Sequence, residues 1–135
     1  MELNVITPQH PICRQVVQLL EQLIGTQSYS REEKETADLI AAFFTDHGLK
    51  VNRDKNNVWV KHPHWRAGLP VILLNSHHDT VKPAASWQRD PLIANWEGDQ
   101  LFGLGSNDAG GPLVSLIAAF LFLKDRQDLP FNLIM

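Results

Sequence analysis

The 135-residue sequence predicts an α/β fold with a mixed, mainly parallel sheet and helices on both faces. Three observations point there. Val71 to Leu74 is a short apolar run directly after Pro70, the pattern of a central strand. Pro112 to Leu123 is apolar over a length that suits a buried helix. Phe131 to Met135 is a second short apolar run. Strand, helix and strand in that order predict a parallel pair joined by a helical crossover.

The remaining elements follow from periodicity and turn chemistry. Pro11 to Ile24 carries apolar residues at roughly helical spacing, and Gly25 is a natural stop. A second helix is expected from Ser30, which has capping-box spacing to Glu33. Its apolar face is Ala37, Ile40, Ala41 and Phe44, and Gly48 suits its C-terminal cap. Leu49 to Arg53 and Val58 to Lys61 read as strands around the turn-prone Asp54-Lys55-Asn56-Asn57. A loop rich in Pro, Trp and charge follows the strand at 71–74. Leu101 to Leu104 is a candidate edge strand after the turn Glu97-Gly98-Asp99. The last helix is expected from about Asp108 to Lys124.

Composition narrows the function classes. Hydrophobic residues at 44% and charged residues at 20% describe an ordinary globular domain. A net charge of −3 offers no basic surface to nucleic acid or to an anionic membrane. The apolar stretch 112–123 is too short to span a bilayer. Cys13 is the lone cysteine, which excludes an internal disulfide and is compatible with a reducing compartment. The N-terminus lacks a basic region followed by an apolar core, so no secretory signal is expected and the location is expected to be cytoplasmic.

The chemistry concentrates in two stretches. In Asn75-Ser76-His77-His78-Asp79-Thr80-Val81, an extended backbone puts His77 and Asp79 on one side and His78 on the other. Imidazole nitrogen suits zinc and similar metals, and a neighbouring carboxylate can fix the ring tautomer. Taken alone, His-x-Asp reads first as a polar loop with a turn aspartate, because the tripeptide is common. The second stretch is Gly103-Leu104-Gly105-Ser106-Asn107-Asp108-Ala109-Gly110-Gly111. Its glycines permit close backbone approach, and Asp108 is placed to cap a helix or to bridge two metal ions. It lacks the Lys-Ser/Thr ending of a phosphate-binding loop. Both stretches fall beyond strand ends or at a helix start, the rim where ligands gather in α/β sheets. No Gly-x-Ser-x-Gly elbow is present, and Cys13 has no evident histidine partner.

Together, SHHDTVKPAASWQRDPL and GDQLFGLGSNDAGG resemble the acetylornithine deacetylase and succinyl-diaminopimelate desuccinylase family of co-catalytic metallopeptidases. The family pattern runs Ser/Gly-His-x-Asp-Thr-Val, then Trp and aspartyl-proline, then Gly-x-Gly-x-x-Asp before an apolar helix. TQSYSREEKETADLIAAFF is similar to the family's second helix, so the resemblance covers nearly the whole chain. GSNDAGG looks most like acetylornithine deacetylase-like members. Lys82 stands where many members have Pro, and Leu104 where many have Arg; both bear on substrate preference.

The resemblance implies a zinc-aminopeptidase-like catalytic domain, of which residues 1–135 are the N-terminal portion without a lid or dimerisation domain. It implies that His77 ligates one metal, Asp108 bridges two, and Asp79 orients His77 as an active-site residue. The implied cofactor is two zinc ions per complete site, with cobalt as an alternative ion. The implied substrate is a small N-acyl amino acid, with a role in amino-acid and arginine biosynthesis, and the implied assembly is a homodimer. A general-base glutamate, its neighbouring glutamate ligand, a further acidic ligand and a late histidine would follow Met135. The 135 residues are therefore expected to be a truncated piece that binds metal weakly, deacylates poorly if at all, and self-associates. His62 and His64, flanking Pro63, are expected to be solvated, and His47 to close a helix where a cationic group suits the dipole.

Overall fold

The computed structural model describes residues 7–135. Helix α1 spans Pro11–Ile24, as its periodicity predicts. His10 caps it, with Nδ1 accepting the Ile12 N–H at 3.2 Å, and Pro11 occupies the first turn, where a missing N–H costs nothing. Val16, Leu19, Leu20, Leu23 and Ile24 form its buried stripe.

Helix α2 spans Lys34–Asp46, four residues later than the expected start at Ser30. Ser30 does not cap it. Residues 28–30 instead pair with Thr80: the Thr80 N–H donates to the Ser28 carbonyl at 2.8 Å, and the Ser30 N–H to the Thr80 carbonyl at 3.1 Å. A long-range bridge thus overrides the local capping signal. At the far end, His47 Nδ1 meets the Phe43 carbonyl at 2.7 Å, closing the helix as expected.

Strands β1 (Val51–Asp54) and β2 (Asn57–Val60) form an antiparallel hairpin around Lys55 and Asn56. Strand β3 (Val71–Leu73) pairs in parallel with β6 (Asn132–Ile134), Ile72 opposite Leu133. The chain past β2 joins β6 through two Val60–Met135 bonds of 2.9 and 3.0 Å and one from the His62 N–H to the Leu133 carbonyl. The order is therefore β1-β2-β6-β3. Strands β4 (Asn95–Glu97) and β5 (Gln100–Phe102) make a separate antiparallel ribbon around Gly98-Asp99. The expected strand at 101–104 thus has a partner that the sequence did not announce, and it is not an edge of the main sheet.

The α/β class holds, and the structure adds two details. Only the β3–β6 ladder is parallel among the described strands, because a parallel pair needs a crossover and only α3 (Gly111–Leu123) supplies one. The three helices pack on one face among the described residues. Core-side residues Val60, Leu133 and Met135 cluster with α1, α2 and α3. On the opposite face Val71 and Leu73 are 49% and 62% exposed.

Helix α3 is apolar all round and packs on α1. Its Ile117 and Phe120 are fully buried, so truncating Phe120 to Ala would cost about 3–5 kcal/mol. A helical trace runs from Ser106 to Leu123, apolar and long enough on paper for a membrane span. It is interrupted at Asp108 and Ala109, whose backbone is not helical. Thirteen residues of α3 reach roughly 20 Å, short of a bilayer core of about 30 Å. Burial against α1 explains its composition.

His62 corrects an expectation. It is buried at 3% exposure rather than solvated. Its Nε2–H donates to the Leu123 carbonyl at 3.0 Å, and Nδ1 accepts the His64 N–H at 3.3 Å. It thereby occupies a carbonyl at the end of α3, which has no intrahelical donor left. His64 is exposed, as expected.

Candidate metal centre

His77 and Asp79 follow β3 in extended chain, past the C-terminal end of the parallel pair. The alternation predicted for them holds. His77 Nδ1 faces Asp79 Oδ1 at 3.0 Å, whereas His78 turns inward to the Thr36 hydroxyl at 2.8 Å and the Asn56 carbonyl at 3.0 Å. His78 is committed to packing and cannot share a ligand with His77.

Asp108 arrives from the other side. It lies in an irregular turn, Ser106–Gly110, that precedes α3, so it is not that helix's N-cap. Two glycines make the turn fit. Gly105 has φ +75°, and a Cβ there would stand 2.6 Å from Thr80 Cγ2. A Cβ on Gly110 would stand 2.7 Å from the Gly105 carbonyl oxygen, which accepts the Gly110 N–H at 2.8 Å. The close packing of Gly105 on Thr80 brings the Asp108 loop to the His77 strand. Asp108 Oδ1 stands 3.0 Å from His77 Nε2, and its carboxylate is 89% exposed.

His77 therefore sits between two carboxylates. Partial burial alone would lower its pKa. Hydrogen bonds to the Asp79 carbonyl, the Asp108 carboxylate and the Asp79 carboxylate outweigh this and raise it above the ordinary histidine value. Asp79 is held below the usual carboxylate range, chiefly by a hydrogen bond from the Ser30 hydroxyl; partial burial opposes this, and the contacts with His77 add to the lowering. Ser30 Oγ donates to Asp79 Oδ2 at 2.5 Å. Sequence reasoning assigned Ser30 to a helix cap and missed this contact. A lone serine far upstream of the site histidine carries no local signal that could have found it.

The donor set fits a divalent ion. Two ligands on a tetrahedral zinc, each about 2.0–2.2 Å away, stand about 3.4 Å apart. His77 Nε2 and Asp108 Oδ1, at 3.0 Å, need little movement to reach that spacing. Among the described residues, no group of three His, Cys, Asp or Glu side chains converges on one ion. The candidate pair alone falls short of the three protein ligands usual at a catalytic zinc.

Two cavities flank the pair. One of about 410 Å³ touches both His77 and Asp108 and is walled by Trp87, Arg89 and Phe102. Arg89 lies 4.2 Å over the Phe102 ring and pairs with Glu97, pinning the Trp87 loop to the β4–β5 ribbon. The other, about 590 Å³, touches His77 but not Asp108. The first is where a reacting group would meet both candidate ligands. Leu104, at the position where many family members carry Arg, is buried and borders this first cavity.

No family model matches the chain. A succinyl-diaminopimelate desuccinylase of Pseudoalteromonas atlantica is 30% identical over 111 residues, covering 78% of this chain and 29% of that protein. The structure of a metallo-carboxypeptidase from Sulfolobus solfataricus superposes with a TM-score of 0.69 at 25% identity, over 89% of this chain and 29% of the other. A dipeptidase of Saccharomyces cerevisiae shares the fold, with a TM-score of 0.68 at 19% identity, over 90% of this chain and 31% of that one. The chain spans about 30% of the length of the curated relatives it matches.

Likeness of fold defines the class, an α/β domain of metallopeptidase type. The chain belongs to the acetylornithine deacetylase and succinyl-diaminopimelate desuccinylase family, a family of hydrolases, and corresponds to part of its members' length.

Proposed function

We propose that the protein carrying this sequence is a dinuclear metal-dependent amidohydrolase that removes an acyl group, acetyl in the first instance, from an amino acid such as acetylornithine. The observation that carries the reading is the 3.0 Å approach of His77 Nε2 to Asp108 Oδ1, with Asp79 on the opposite ring nitrogen. The GSNDAGG motif favours the acetylornithine side of the family, and with it a place in arginine biosynthesis. The names of the matched desuccinylases and the metallo-carboxypeptidase support acyl-amide or peptide-bond hydrolysis with a metal.

In this reading residues 1–135 are the N-terminal portion of the catalytic domain, and His77 and Asp108 are metal ligands, Asp108 shared between two ions. Zinc is the proposed metal, with cobalt as an alternative. Bound there, the ions would supply a water of lowered pKa and polarise the scissile carbonyl. Asp79 takes the His77 Nδ1 proton in a hydrogen bond, which leaves the Nε2 lone pair for a metal. The Gly105–Gly110 turn carries Asp108 to that nitrogen. Trp87 and Phe102 wall one side of the cavity. The proposed setting is cytoplasmic, and the proposed assembly of the whole protein is a homodimer.

Purified full-length protein, loaded with zinc, would be assayed on acetylornithine, acetylcitrulline, a succinylated amino acid and unblocked dipeptides. Release of free amino acid from the acylated substrates is expected. Faster cleavage of unblocked dipeptides would replace the deacylase reading with a peptidase one, which the metallo-carboxypeptidase likeness favours. No metal-dependent hydrolysis at all would sink both.

A second reading concerns the 135 residues taken alone. With no third ligand among the described residues, they form a non-catalytic unit that binds metal weakly and self-associates through its exposed β3 face. Metal-dependent deacylation by this chain alone would contradict it.

A further inference from the structure

We infer that Ser30 is a positioning residue of the metal centre, acting through Asp79 to set the orientation and tautomer of His77; this rests on the metal reading proposed above. The two residues Ser30 and Asp79 are 49 positions apart, and nothing in their local sequences links them. Ser30 Oγ donates to Asp79 Oδ2 at 2.5 Å, and Asp79 Oδ1 faces His77 Nδ1 at 3.0 Å. One carboxylate is thus divided, with one oxygen for the serine and the other for the histidine.

Main-chain bonds hold the hydroxyl in place. Residues 28 and 30 grip Thr80 by two hydrogen bonds, of 2.8 and 3.1 Å. Arg31 then turns away with φ +76°, and the Glu32 N–H closes the turn on the Tyr29 carbonyl at 2.7 Å. The connection between α1 and α2 is therefore laid against the site by its backbone, and Ser30 is the side chain it presents there.

The terminal torsion of an aspartate is soft and roughly two-fold. Asp79 is 36% exposed, so water can compete for its oxygens. A donor fixed by backbone bonds removes that torsional freedom. Oδ1 then stays aligned with Nδ1–H, and Nε2 stays turned toward Asp108. The order Ser30, Asp79, His77 also excludes a serine nucleophile. There the hydroxyl would give its proton to the imidazole, whereas here it gives it to the carboxylate.

Two variants of the full-length protein, Ser30→Ala and Ser30→Thr, test the assignment with zinc alone as the probe. Zinc affinity would be read by competition with a chromophoric chelator. The His77 ring tautomer would be read by ¹⁵N NMR in metal-free protein at a pH where the ring is neutral. Loss of such an outer partner weakens metal binding by about 10–100-fold. Ser30→Ala is expected to weaken zinc binding by about tenfold and to move His77 from Nδ1–H toward Nε2–H. Its melting temperature should shift by less than about 2 °C. Ser30→Thr, which keeps the hydroxyl, is expected to restore both readouts. Wild-type zinc affinity and tautomer in Ser30→Ala would overturn the assignment. So would a loss that follows a lowered melting temperature and that Thr fails to rescue. A His77→Ala protein binding zinc as tightly as wild type would instead defeat the metal reading. The tautomer result would then decide the role of Ser30 by itself.

Discussion

His77 Nε2 lies 3.0 Å from Asp108 Oδ1 across 31 positions of sequence, because Gly105 lets the loop before α3 close on Thr80. Asp79 completes the arrangement from the other ring nitrogen. Replacing Asp79 with Ala in the full-length protein should cut turnover by about 10–100-fold at saturating zinc. Steady-state kinetics would check this, and near-normal turnover would remove Asp79 from the orienting role.

The same geometry sets a pH dependence in metal-free protein. His77 has a folded-state pKa above its ordinary value of about 6.5. Its contribution to stability is therefore fully present below that value and is lost as pH rises through the folded pKa. Because His77 is half exposed, the effect on stability should be small. A ¹H–¹⁵N titration should place the His77 midpoint above the ordinary histidine value. A midpoint below that value would contradict the two-carboxylate environment.

Gly105 is sensitive for a steric reason. With φ +75° and Thr80 Cγ2 only 2.6 Å from where a Cβ would stand, Gly105→Ala should destabilise the fold by about 1–3 kcal/mol. Gly98, with φ +64° but open space around it, should tolerate Ala better. Urea unfolding of the two variants would separate the contributions, and equal losses would show that packing on Thr80 does not matter.

Buried His62 should behave as a structural residue. His62→Leu takes one of two donors from the Leu123 carbonyl, which keeps the Arg126 N–H at 3.0 Å, and leaves the His64 N–H without its partner, at a cost of about 1–3 kcal/mol. Chemical denaturation should show that loss, while zinc affinity stays at the wild-type value.

The exposed β3 face predicts association of this chain with itself. Leu73, at 62% exposure, is the most accessible residue of β3. Leu73→Lys should shift sedimentation velocity profiles toward monomer, since a charge on an exposed strand opposes edge pairing. Unchanged profiles would place the contact elsewhere.

The sequence by itself determined α1 residue for residue, the parallel β3–β6 pair with its α3 crossover, and the alternation that separates His77 from His78. Each rests on short-range physics: a 3.6-residue period, a two-residue period, and glycine or proline at a turn. Tertiary structure alone decided the rest. It gave β5 its partner β4, gathered the helices on one face, buried His62 under the end of α3, and carried Ser30 from an expected helix cap to Asp79. These outcomes depend on contacts between segments tens of residues apart. Ser30 could cap a helix or bind a carboxylate with the same hydroxyl, and only the Thr80 bridge, closed in the folded chain, chooses between them.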